Sequence, residues 1–97
     1  MRRSNIQSVS DVLRDFLQEN APVAQKLAET RAIQSWRGLL GEGVMKYTTS
    51  VYIRNQVLYV RLSSAVLRNE LSMCREQLII RLNEEAGEEV IREIVFS

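Results

Sequence analysis

The apolar positions of this chain repeat with two different periods, and the change falls in the middle of the sequence. In "SVSDVLRDFLQEN", Val9, Val12, Leu13, Phe16 and Leu17 recur at i, i+3, i+4, i+7 and i+8. That spacing draws an apolar stripe along one side of a helix. Ser8, with Asp11 three residues on, is a helix-start signal, and Asn20, Ala21 and Pro22 close the segment. Pro22 suits the first turn of a following helix, where a missing N–H costs nothing. From Val23 to Leu40 the pattern is helical again, with Ala32, Ile33, Trp36, Leu39 and Leu40 on one face. The polar run Glu29-Thr30-Arg31 is a candidate bend that would make two helices of this segment. Glycines 38, 41 and 43 terminate it.

Then the period becomes 2. Val51 and Ile53 alternate with Tyr52 and Arg54, and Leu58, Val60 and Leu62 alternate with Val57, Tyr59 and Arg61. Two strands joined at Asn55-Gln56 form a hairpin, Asn tolerating the positive φ of a tight turn. A two-residue turn pairs 54 with 57, 53 with 58, 52 with 59 and 51 with 60. Ile53 then meets Leu58 and Val51 meets Val60 on an apolar face, while Tyr52 meets Tyr59 on the other. A slip of one residue would mix the two faces, so the pattern specifies the register.

Ser63 and Ser64 offer an N-cap for one long third helix ending near Gly87, with Leu67, Leu71, Cys74, Leu78 and Leu82 as its core stripe. Val90 to Phe96 reads as a last strand whose mixed alternation leaves its inward face open. The order α-α-β-β-α-β predicts an α+β domain, a three-stranded sheet packed against helices that each have one apolar side to bury. Residues 1–7 are expected to be flexible.

Composition fits this picture. At 97 residues, 45% hydrophobic and 26% charged, the chain suits one modest core. The opening "MRRSNIQSVSDVL" has no long apolar run and does not read as a secretory signal. No stretch has the ~20 apolar residues of a membrane span. A lone cysteine, Cys74, forms no internal disulfide and is expected to be a buried structural thiol. The cytoplasm is the expected compartment.

Charge adds one feature. The net +1 conceals 11 Arg against 2 Lys, and residues 26–81 hold nine basic and four acidic residues. Arg forks match phosphates and stack on rings better than Lys. The central excess reads either as a solvated surface or as a weak basic patch for nucleic acid. Residues 84–93, with five Glu and one Arg, read as solvated.

The hairpin face of Tyr52, Arg54, Tyr59 and Arg61 admits three readings: rings for bases and guanidiniums for phosphates, a stabilising cross-strand Tyr pair, or a protein contact. Arg68 and Arg75, seven apart on the third helix, and Lys46 would extend the basic surface. Ion pairing, for instance Arg68 with Glu76, is the plainer role for the helical pair. Val66, Met73 and Ile80 form a second apolar row that either widens the buried face or docks a partner, as a homodimer would. Gly38-Leu39-Leu40-Gly41 matches a GxxG, but its two leucines suit a helix end in the core. Trp36 is read as a core anchor whose indole N–H finds a polar partner at the edge. There is no His, no P-loop, no nucleophile paired with a base and no grouped metal ligands, so no enzyme, cofactor or metal site is expected.

The segments "WRGLLGEGVMKYT" and "NQVLYVRLSSAVLRNELSMCREQLIIRLNEEAGEEVIREI" resemble the DciA-like family over roughly residues 8–96. The ordered features are Leu58 and Val60, Ser63 and Ser64, Glu70 and Leu71, Leu82 and Asn83, Gly87, and Val90 with Ile94. The resemblance implies a KH-like fold and DNA binding in a loader or operator of the bacterial replicative helicase. Longer members carry a C-terminal extension implicated in helicase contact, and this sequence stops at Ser97. Where members often have Gly before the second strand, this chain has Gln56. The resulting expectation is a non-enzymatic DNA-binding accessory of the helicase. DNA, single- or double-stranded, would be contacted by Tyr52, Arg54, Tyr59, Arg61, Arg68, Arg75 and Lys46. The alternative is a protein adaptor that binds no nucleic acid and docks its partner through the hairpin face or through Val66, Met73 and Ile80.

Overall fold

A computed structural model describes residues 11–16 and 18–97. Ser8, Val9 and Leu17 lie outside them. Helix α1 comprises the helical residues 11–16 and 18–19. It is followed by α2 (Ala21–Met45), β1 (Thr48–Arg54), β2 (Val57–Leu62), α3 (Ala65–Met73), α4 (Arg75–Ala86) and β3 (Glu93–Phe96). The architecture is α+β, with one three-stranded sheet in the order β1-β2-β3. β1 and β2 are antiparallel, and β2 and β3 are parallel.

The hairpin has the register that alternation specifies: Val51 opposes Val60, Tyr52 opposes Tyr59, Ile53 opposes Leu58 and Arg54 opposes Val57. Asn55 (φ 52°) and Gln56 (φ 66°) both adopt the left-handed conformation of a type I′ turn. The Arg92 N–H donates to the Gln56 carbonyl at 2.8 Å, tying the turn to the start of β3. β3 resolves the ambiguous last strand. Ile94, beside Leu58, is buried, and Val95, beside Tyr59, is exposed.

The core lies between the inner sheet face and the helices. Leu58, Val60 and Ile94 meet Ala28, Ala32 and Trp36 of α2, and Leu78, Leu82 and Ala86 of α4. Three alanines let α2 and α4 approach closely, and the Arg31 guanidinium clasps their junction. Its Nε and Nη2 donate to the Ala86 carbonyl at 3.1 and 2.9 Å, where the open C-terminus of α4 favours a cation. Asn83 stitches α4 to the approach to β3. Its Nδ2 donates to the Ile91 carbonyl, and its Oδ1 accepts from the N–H groups of Val90 and Ile91.

Five expectations are corrected. α2 runs unbroken through residues 29–31 and breaks instead at Gly41 (φ 75°, ψ 179°), a conformation that suits glycine alone. The long third helix is two helices. Cys74 leaves helical geometry (φ −104°, ψ 13°) between α3, which packs on β2, and α4, which packs on α2. The bend aims Leu71 and Leu78 at one core from two directions and swings Cys74 outward, so the thiol is exposed. Trp36 is fully buried, its ring 6.1 Å from that of Phe96, but its indole N–H finds no partner. Finally, the described residues of the α1 stripe are not buried. Val12, Leu13 and Phe16 are 66%, 56% and 50% exposed.

The last correction shapes the molecule. The radius of gyration is 16.4 Å and the long dimension 57 Å, against about 13 Å for a compact chain of this length. Arg14 and Gln18 of α1, Ala21, Ala24 and Gln25 of α2, and Glu88 line one surface recess; between the two helices Asn20 leaves helical geometry (φ −119°, ψ 63°). Hydrogen bonds from Asn20 N–H to the Phe16 carbonyl, and from Val23 and Ala24 N–H to the Asn20 carbonyl, bridge the junction. α1 and α2 are thus two helices joined at Asn20, which caps the start of α2.

Candidate functional site

The outer face of the sheet is built by three registered rows. The central row is Tyr52–Tyr59–Val95, flanked on one side by Arg54–Val57–Glu93 and on the other by Ser50–Arg61. Alternation along each strand forces this arrangement, because Val51, Ile53, Leu58, Val60 and Ile94 occupy the inner face. The tyrosine rings stack with centroids 5.0 Å apart and planes 15° from parallel. Tyr52 is about half exposed, and Arg54 and Arg61 are exposed. Ser50, Tyr52, Tyr59, Arg61 and Ser97 line a shallow cavity of about 250 Å³. The face therefore offers aromatic surface between two guanidiniums, a combination suited to bases and phosphates or to a protein hot spot.

The third strand brings what the sequence reading did not name. Val95 widens the aromatic row, Ser97 reaches the cavity, and Glu93 sets a carboxylate beside the Arg54 row. Parallel pairing of β3 with β2 decides these neighbours, and nothing local in Val90–Phe96 encodes it. The Glu93 charge is partly offset by Arg75, whose Nε lies 3.7 Å from its Oε1, an ion-pair distance too long for a hydrogen bond.

The basic residues divide into committed and uncommitted groups. Arg31 holds Ala86, and Arg68 Nη1 donates to the Leu62 carbonyl at 3.1 Å. Arg75 reaches Glu93 and Ser72, and Arg81 approaches Glu84 at 3.9 Å. Among the described residues, Arg37, Lys46, Arg54, Arg61 and Arg92 enter no ion pair. Arg68 and Arg75 do not share a single helix face, since the Cys74 bend puts them on different helices, and Arg68 does not pair with Glu76. Lys46, exposed, caps the end of α2 just ahead of β1.

Val66, Met73 and Ile80 do not widen the core. They are 74%, 69% and 57% exposed, the first two on α3 and the third on α4. Gly38-Leu39-Leu40-Gly41 lies inside α2, with both leucines packed against the core. Below the α3–α4 bend, a recess of about 460 Å³ collects Arg75, Arg92, Glu76 and Glu93, a balanced set of charges. Among the described residues no group of acidic, Cys or His side chains could hold a metal ion, and no helix is long and apolar enough to cross a membrane.

No curated protein and no solved structure matches the chain. A family model described as "Dna[CI] antecedent, DciA" matches residues 8–96, nearly the whole sequence. The chain therefore belongs to the DciA family, which is associated with helicase loading in DNA replication.

Proposed function

We propose that the protein is a non-enzymatic accessory of the replicative helicase that contacts DNA through the outer face of its sheet. The carrying observation is the solvent-facing tyrosine pair set between Arg54 and Arg61. Rings can stack on bases at roughly 1–3 kcal/mol each, and guanidiniums can neutralise phosphates. Arg61 and Arg54 suit the task because no carboxylate of the described chain pairs with either. Arg68, Arg75 and Lys46 would extend the contact at the margins, Arg68 and Arg75 with fewer N–H groups to spare.

We read the succession β2-α3-α4-β3 as KH-like. Domains of that kind clamp the nucleic-acid backbone with a GxxG loop between two helices. Here the corresponding junction is Met73-Cys74-Arg75, without glycine. Phosphate contact would thus fall to side chains rather than to backbone N–H groups, and affinity should be modest and salt-sensitive.

Fluorescence anisotropy with labelled single- and double-stranded DNA tests this reading. Binding at low salt should weaken steeply as salt rises. Replacing both Arg54 and Arg61 by Gln should lower the slope of log K against log salt by about 2. No anisotropy change with either DNA at low salt would end the proposal. A second reading is favoured by the exposure of Val66, Met73 and Ile80: a protein partner docks on that row, with an affinity that barely responds to salt.

A further inference from the structure

The β1 edge of the sheet carries a cationic recess that meets the outer-face cavity at Ser50. Thr48 opposes Leu62 and Ser50 opposes Arg61, so Thr49 is the extra residue of a bulge, which bends its strand and re-aims the side chains around it. Between this bulge and α2 lies a recess of about 150 Å³, lined among others by Arg37, Thr48, Thr49 and Ser50 and by no carboxylate. Ser50 also lines the outer-face cavity, with Tyr52, Tyr59 and Arg61. The two hollows are thus neighbours across the edge of β1. Two of the three hydroxyls are occupied: Thr48 Oγ1 donates to the Val44 carbonyl at 2.9 Å, and Thr49 Oγ1 to the Arg61 carbonyl at 3.2 Å. The Ser50 hydroxyl and the exposed Arg37 guanidinium have no hydrogen-bond or ion-pair partner among the described residues. A guanidinium with all its N–H groups free, beside a free hydroxyl and away from any acid, is a donor set for an anion of the phosphate type.

The tyrosines indicate which phosphate. Their ring centroids are 5.0 Å apart and the rings nearly parallel, close to the spacing of neighbouring strands, about 4.8 Å. The rings therefore stand upright and stack across the strands. Tyr59 has Tyr52 on one side and Val95 on the other. Tyr52 lies on the edge strand and has a neighbour on one side only, so its far ring face is the one open to a base. Ser50 and Arg54 flank Tyr52 on the same face, two residues away in either direction, or about 7 Å along the strand. We propose that Arg37 binds a backbone phosphate of the nucleotide whose base stacks on Tyr52, with the Ser50 hydroxyl as a second donor. The strand then runs along the β1 edge between Arg37 and Arg54. This inference rests on the reading of the sheet face as a DNA contact, and adds to it a residue outside that face. The β3 side offers no such path. Glu93 closes the Arg54 row there, and the adjoining recess sets Glu76 and Glu93 beside Arg75 and Arg92. Those carboxylates repel a phosphate, whereas the β1 recess has none.

Anisotropy of a labelled single-stranded oligonucleotide, titrated at several salt concentrations, gives the test. Arg37→Gln should weaken binding at low salt and lower the slope of log K against log salt by about 0.7, the single-strand value for one phosphate contact. Arg37→Lys, which keeps the charge, should keep most of the slope. Arg92→Gln removes an equal charge on the β3 side and should leave the slope unchanged. Tyr52→Ser should lower affinity roughly 5-fold or more, as the loss of one stacked base does, with little change in slope. Circular dichroism should be the same for every variant, since Arg37, Tyr52 and Arg92 are exposed. Wild-type binding together with an unaltered slope for Arg37→Gln overturns this inference and leaves the sheet-face reading standing. A loss with Arg92→Gln as large as that with Arg37→Gln makes the effect one of net charge and also overturns it. If Tyr52→Ser binds as the wild type does, no base sits on that ring and the track along β1 fails. A wild-type chain that binds no oligonucleotide ends the sheet-face reading, and this inference with it.

Discussion

The two sides of α2 both carry apolar residues and do opposite things. From Ala28 to Trp36 the helix buries small and aromatic side chains completely against α4 and the sheet. On the opposite side of the helix, Val23 and Leu27 face outward at 42% and 45% exposure. The apolar character of a side chain therefore does not say whether it stabilises the monomer. What decides is whether a second surface lies opposite, and for the first turns of α2 the body of the fold supplies one on a single side only. The side of α2 that carries Ala28, Ala32 and Trp36 belongs to the core, and the side that carries Val23 and Leu27 does not.

This contrast can be broken at several points. Trp36→Ala should have the largest effect, a loss of about 3–5 kcal/mol in urea unfolding. That it falls toward the lower end is expected, because the indole N–H is buried without a partner and its removal relieves part of the cost. Ala32→Leu should come next. It forces extra methylenes between α2 and α4 and should cost about 1–3 kcal/mol. Leu27→Ser, measured on dilute protein, should change stability by no more than about 0.5 kcal/mol. An effect of Leu27→Ser as large as that of Ala32→Leu would mean that the outer side of the helix is covered within one chain.

How much of this was legible follows from the kind of pattern involved. The hairpin register was readable because period-2 alternation and a two-residue turn constrain each other, and both faces had to sort correctly. The Tyr/Arg content of the outer face followed from that register. The rest of that face, Val95, Glu93 and Ser97, did not, since parallel pairing between strands separated by two helices leaves no local signature. The bend at Cys74 was invisible for a related reason. Leu67, Leu71, Cys74, Leu78 and Leu82 fit one straight helix, and a break that keeps the leucines inward alters only the residue at the joint. On α1 periodicity marks an apolar side, but it carries no information about what lies across from it.

The Gln56 carbonyl, bonded to Arg92, sits at the start of a ladder that runs to Ser97, where Ser97 N–H donates to the Val60 carbonyl and the Ser97 carbonyl accepts from Leu62 N–H. Every rung of that ladder joins β2 to a segment about thirty-five residues further along the chain. The closure entropy of so long a loop must be overcome before any of those bonds forms. The hairpin and the helices can assemble from near neighbours, whereas the last strand enters a site the others have already made. Refolding of this protein should thus finish at its C-terminal edge, and shortening the chain there by a few residues would strip the sheet of its slowest partner while leaving the hairpin to form first.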